Sequence, residues 1–326
     1  MRHIITVYEE DGYPRRSFPT TTSITFPQGQ WNKNDPARLI DSENKEVPCQ
    51  IDSMETHPDG SVQKAELTFA PFLAAWQTRR YVLETSGEPA QAKVRNPISI
   101  DIQSDAAIVK QGVITCTVHK QDFNLVDTIV FRDKSYLIPN ARGPVLILDN
   151  DDKLSPVGEA KITAETAGPW AGRLRVEGNY PQDFAFVTHL TFVSSKSWFL
   201  AEHSITNGDR NRIRAIRFDC QFDLKSGPLS VASGARVRKD SISTTWTVIT
   251  DNVHTVDLAI LNAWSRGSEY VRCETDADGA FRAIYPYADR PCKFYPHVLH
   301  GPPDDIKNTP APAMAAELRC DVKQEA

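Results

Sequence analysis

Along nearly the whole chain, short runs rich in Val, Ile, Thr and Phe alternate apolar with polar residues and stop at Gly, Pro, Asn or Asp. A period of two sends successive side chains to opposite faces, so each run reads as a strand with one face for a core. Such runs occupy residues 4–8, 23–26, 65–69, 80–83, 98–102, 113–118 and 145–148. They continue at 161–164, 174–177, 184–193, 198–206, 213–222, 244–249 and 256–261. Helical spacing is confined to residues 72–76 and 313–318, a turn or two each. With 22 prolines and few helical signals, the chain is expected to be all-β, built from barrels or sandwiches rather than βαβ units.

At 326 residues the chain has room for two β domains. The alternation lapses over residues 85–97, where SGEPAQAKVRNP gathers Pro, Gly, Ala and charge. The expected division is a small N-terminal β-barrel over 1–92 and a large antiparallel β-supersandwich over 98–326. Residues 285–311 carry six prolines and read as loop.

A formal net charge of −5 argues against a general nucleic-acid or membrane-surface binder. No apolar run approaches the length of a membrane span, and the first residues show no signal-peptide core. The six cysteines are scattered without a CxxC pair, which suits free thiols in a reducing cytoplasm. A cytoplasmic location is therefore expected.

Residues 26–31 (FPQGQW), 46–50 (EVPCQ) and 57–69 (HPDGSVQKAELTF) make a β-meander in which Asp59-Gly60 supplies a tight turn. Their order resembles the N-terminal RIFT-barrel domain of the exo-unsaturated rhamnogalacturonan lyase (YetA-like) family. Later, RLRVEGNY, FAFVTHLTFVSSKSWFLAEHSITNGDRN and IRAIRFDCQFDL resemble the core of a galactose-mutarotase-like supersandwich. The resemblance covers residues 16–225. It implies carbohydrate chemistry, but the helical toroid that the family places beside these domains is absent from the sequence.

Three arginine pairs stand two residues apart: Arg173 and Arg175, Arg212 and Arg214, Arg236 and Arg238. Within a strand each pair shares a face, and three such strands in one sheet would line a groove for carboxylates. The alternative is a solvated sheet face paired with acidic residues. His189 lies opposite the face of Phe184, Phe186 and Phe192, so a polar surface is expected for it. His203 shares a face with Phe199 and Ile205. If the two strands pair, the histidines could approach one another and move protons near neutral pH. Tyr285, Tyr287 and Tyr295 crowd the late segment YPYADRPCKFYPHVLH, either as a sugar platform or as a buried strap. The acidic stretches at 149–152 and 304–305 match no defined calcium loop, so neither metal nor cofactor is expected.

Two functions follow. One is a lyase that acts on an acidic, uronate-containing oligosaccharide or polysaccharide by β-elimination. In it Arg212, Arg214 or Arg236 neutralises the carboxylate, His189 or His203 is the base, and a tyrosine such as Tyr287 the acid. A hydrolase-like variant would draw on Glu202. The other is a non-catalytic carbohydrate-binding or accessory protein. Neither nucleic acid nor membrane is an expected partner; the expected alternatives are a partner chain, which could supply the toroid, or a homo-oligomer.

Overall fold

The computed structural model describes the chain except residues 11, 13, 17–18, 86, 138–142, 239–240, 252, 262–264, 267–268, 271, 276–279, 287–291, 301–318 and 325–326. Strands dominate throughout, and Arg210–Arg212 is the one helical segment among the described residues, a turn of 3₁₀ helix. The all-β expectation holds. The chain divides into two units.

The first unit takes Met1–Pro97, Gly168–Ala171 and Ala315–Ala326. One sheet runs Arg319–Gln324, Arg2–Tyr8, Thr78–Glu84, Arg38–Asp41 and Glu46–Val47. A second sets Val62–Phe69 between Thr20–Thr25 and Cys49–Thr56. Their inward residues, Ile5, Val7, Ile24, Phe26, Leu39, Leu67, Phe69, Tyr81 and Leu83 among them, form a closed apolar core. The expected turn at Asp59-Gly60 is present. Gly60 adopts φ +86°, and Asp59 accepts hydrogen bonds from the Ser61 N–H and hydroxyl.

Two pieces of this unit come from far along the chain, inside the span 98–326. The Gly168–Ala171 tip is held by Gln50, whose Oε1 accepts from the N–H groups of Trp170 and Ala171, both at 2.9 Å. Trp170 donates its indole N–H to the Pro48 carbonyl at 2.6 Å. The other piece, Arg319–Gln324, pairs with Arg2–Tyr8 along its full length. Local alternation cannot reveal that a late strand returns to an early sheet.

The second unit takes Ile98–Ala167 and Gly172–Met314. Its largest sheet has eight strands, in the order Val157–Ala167, Ala171–Asn179, Ala185–Val193, Phe199–Asn207, Cys292–His300, His254–Leu261, Ser241–Thr250 and Ser230–Arg238. Leu174, Val176, Leu190, Phe192, Phe199, Val256, Leu258 and Ile260 turn one face of it into the core. Against them pack Cys116, Val118 and Ile129 from one five-stranded sheet and Leu146, Ile216 and Phe218 from another.

Two local expectations fail. Cys292–His300 falls within the stretch read as loop, yet it is an interior strand. Pairing to Phe199–Asn207 covers only Cys292–Phe294, so Pro296 is flanked by a paired strand on one side alone, where a missing N–H is tolerated. Residues 72–76 form no helix. Phe72–Leu73 is a short strand paired with Arg15–Arg16, followed by a turn closed by the Gln77 N–H on the Ala74 carbonyl. Residues 313–318 lie outside the described residues.

Candidate functional site

The hairpin of Ala185–Val193 and Phe199–Asn207 sorts its side chains by register. His189 stands opposite Glu202, and Thr188 opposite His203. Directly opposed residues of an antiparallel pair share a face, so His189 and Glu202 lie on one face and Thr188 and His203 on the other. The strands do pair as expected, but the two histidines end on opposite sides of the sheet.

On the face away from the core, five strands contribute to one polar cluster. Arg173 Nε lies 3.2 Å from Glu165, and its Nη2 lies 3.6 Å from Glu202. Arg175 donates to Glu177 at 2.9 Å and reaches Glu165 at 3.9 Å. Lys293 Nζ is 2.7 Å from Glu202, and His189 Nε2 is 3.4 Å from Glu165. All are half-exposed, Glu202 the least so, with 17% of its side chain accessible. Two carboxylates, Glu165 and Glu202, are thus bridged by Arg173 with an imidazole beside them.

Glu165 owes its position to a break in pairing. Ala164 opposes Leu174 and Thr166 opposes Arg173, which leaves Glu165 as the extra residue of a β-bulge. A bulge bends its strand and re-aims the side chain it carries. Here the carboxylate is turned towards Arg173, Arg175 and His189.

Burial, and then the neighbouring Arg173 guanidinium, hold the His189 imidazole below its ordinary pKa, against the upward pull of Glu165 and Glu202. His189 is therefore neutral at pH 7. With Nε2 directed at Glu165, the proton of the neutral ring belongs on Nε2 and the basic lone pair on Nδ1. The Arg175 hydrogen bond keeps Glu177 ionised to lower pH than usual.

His203 is a different kind of residue. It is fully buried, with Nδ1 2.7 Å from the Thr188 hydroxyl and Nε2 3.1 Å from the Tyr180 hydroxyl. Phe186 and Phe218 pack on its ring. Burial pushes its pKa down to about 3. A base in that position cannot meet a substrate arriving from solvent, so His203 belongs to the core.

The arginine pairs separate. Arg173 and Arg175 share a face, as their spacing requires. Arg212 sits in the 3₁₀ turn and donates to Gln182 at 2.8 Å, and Arg214 pairs with Asp151. Arg214 lies on Ile213–Gln221, which belongs to another sheet. Arg236 and Arg238 fall on Ser230–Arg238, six strands from Arg173, or about 29 Å along the sheet at roughly 4.8 Å per strand. Their side chains lie outside the described residues. The pairs therefore fall on elements that are not neighbours, because strand order is set by long-range connections that spacing does not encode.

Tyr285 is buried, edge-on to Phe218, and donates its hydroxyl to the Lys293 carbonyl at 2.7 Å. It serves as a strap residue rather than a platform. Tyr287 and the Tyr295 side chain lie outside the described residues. Glu165, Glu177 and Lys293 were not singled out in the sequence. Lys293 sits in the stretch read as loop, and nothing in a lone Glu announces a bulge. Among the described residues, no three His, Cys, Asp or Glu side chains gather as metal ligands. No described helix is long and apolar enough to cross a membrane.

Residues 8–71 match the family model described as the PcRGLX-like N-terminal RIFT barrel domain. No curated protein matches the sequence. Among solved structures, an alpha-mannosidase from Enterococcus faecalis V583 is similar at a TM-score of 0.57 and 10% identity, over 99% of this chain and 46% of that one. A protein in the Glycosyl Hydrolase Family 38 from Enterococcus faecalis is similar at 0.54 and 9%, over 99% and 47%. At such identity the likeness is one of fold. The chain spans about half the length of each. The RIFT-barrel resemblance is thus supported for the N-terminal part, whereas the structural neighbours are mannosidase-like and not specifically a rhamnogalacturonan lyase.

Proposed function

We propose that the protein handles carbohydrate and that the His189 face binds an acidic saccharide and acts on it by β-elimination. The observation that carries this reading is His189 itself: a neutral imidazole, oriented by Glu165, on an accessible face beside Arg173, Arg175 and Lys293. The RIFT-barrel match and the glycoside-hydrolase neighbours support the carbohydrate class.

In the elimination, a cation of the cluster pairs with the uronate carboxylate and so stabilises the charge that develops when C5 loses its proton. His189 Nδ1 takes that proton. The C5–H electron pair becomes the C4–C5 double bond, and the C4–O bond breaks. The departing oxygen takes a proton from the Lys293 ammonium or from water.

A second reading is favoured by the charge balance of the face. Arg173, Arg175 and Lys293 each contact a carboxylate already, Glu165, Glu177 or Glu202. A self-neutralised surface suits hydrogen bonding to sugar hydroxyls without turnover, as in an accessory module.

The two are separated by incubating the chain with uronate-containing oligosaccharides while following ultraviolet absorbance of the new double bond. The lyase requires a signal that His189→Ala and Arg173→Ala both abolish. Saturable binding by calorimetry with no absorbance change would sink the lyase and leave the binding module.

A further inference from the structure

The first unit displays an aromatic side chain whose placement the core does not explain. Trp76 has 71% of its surface exposed and a backbone φ of +62°. It occupies the third position of the turn closed by the Gln77 N–H on the Ala74 carbonyl, where a positive φ makes glycine the usual residue. For a bulky residue that conformation is strained, and strain of this kind persists only where the surroundings enforce it.

The enforcement is visible. Glu9, whose side chain is fully buried, accepts at Oε2 from the Trp76 N–H at 2.9 Å and from the Gly12 N–H at 2.8 Å. Its Oε1 lies 3.3 Å from Arg15, itself buried. The Glu9 N–H donates to the Gln77 carbonyl at 2.9 Å, and the Ala74 N–H to the Gln77 side chain at 2.7 Å. One edge of the indole then rests on Gly12, so closely that a Cβ there would fall 2.7 Å from the ring. A buried ion pair and a glycine are thus committed to holding a flat ring towards solvent.

We propose that Trp76 is a stacking platform for a pyranose ring of an oligosaccharide, a binding point on the first unit separate from the His189 face. A pre-ordered indole meets the axial C–H face of a sugar without loss of side-chain freedom on binding. The size of the surface favours this occupant. Trp76 and the half-exposed Phe72 are two rings of about 150–250 Å² each. That is far short of the roughly 800 Å² per partner in a stable protein interface. A nucleobase could also stack, but the net charge of −5 disfavours the phosphates that would come with it.

The test uses the full chain with cellohexaose, mannohexaose and an oligogalacturonate, read by calorimetry and by tryptophan fluorescence, with Tm measured on every variant. Trp76→Ala is expected to weaken binding of at least one of these sugars tenfold or more, and Trp76→Phe to retain part of it. Glu9→Gln, which loosens the clamp, is expected to weaken the same sugar without removing the ring. Trp76→Asn tolerates a positive φ, so its Tm is expected to hold or rise while binding is lost. Cellohexaose and mannohexaose carry no carboxylate for the His189 face, so their binding by wild type and its loss in Trp76→Ala separate failure here from failure of the lyase reading. Unchanged affinity in Trp76→Ala, no binding of any of the three sugars, or a fall in Tm for Trp76→Asn with binding intact would overturn the proposal.

Discussion

The two faces of one hairpin treat histidine in opposite ways. On the core face, His203 is sealed between Thr188, Tyr180, Phe186 and Phe218, with both ring nitrogens satisfied. On the other, His189 keeps 23% of its side chain accessible and is surrounded by charges. Both imidazoles are neutral at pH 7, but the causes differ. Burial alone lowers the pKa of His203, whereas for His189 burial is joined by Arg173 and opposed by two glutamates. A depressed histidine pKa is therefore no mark of function by itself; what matters is whether solvent and substrate can reach the ring.

The sharpest way to break this comparison is to remove each ring. His203→Ala leaves a cavity and strands the Thr188 and Tyr180 hydroxyls in the core, so a loss of about 3–4 kcal/mol is expected in urea unfolding. His189→Ala should cost no more than about 0.5 kcal/mol, since the site is partly solvated. Equal losses would mean that the two faces are not distinct.

Acid should act through the core face. The unfolded His203 titrates near 6.5 and the folded one near 3, so between these values the unfolded chain binds a proton that the native chain refuses. The contribution of the neutral ring is whole above pH 6.5 and declines as pH falls towards 3. Urea midpoints at pH 7, 5 and 4 are expected to fall more steeply in the wild type than in His203→Leu; parallel slopes would contradict the assignment.

The smallest effects belong to the charged face. Arg173→Ala removes a downward influence on His189 and is expected to raise its pKa. Glu165→Gln removes an upward one and is expected to lower it. Imidazole chemical shifts followed by NMR through a pH titration give both signs, and shifts in the same direction would show that the cluster is not coupled as described.

Much of this architecture was legible because strand alternation is a local property. The even-numbered phenylalanines before His189 placed it on the polar side, and Phe199 and Ile205 placed His203 with the core residues. Whether the two rings meet depends on the parity of the connection between the strands, and here the register sets His203 opposite Thr188 rather than His189. The arginine pairs behaved likewise. Side-by-side placement within Arg173 and Arg175 follows from spacing, but the distance from Arg236 follows from strand order, a non-local property. Glu165 was illegible for a third reason: a one-residue bulge leaves no trace in composition.

The strand Arg319–Gln324, which closes the edge of Arg2–Tyr8, also sets a timetable for the molecule. Cys320 on this strand and Thr20 of the three-stranded sheet, whose side chains touch, are 300 positions apart. At about 5–20 residues per second, a growing chain would wait roughly 15–60 s between making the first strand and making the strand that covers it. For that interval Arg2–Tyr8 offers an open edge to any passing chain. That edge is thus covered only about 300 residues after it is made, and yield in the cell should depend on what shelters it during synthesis.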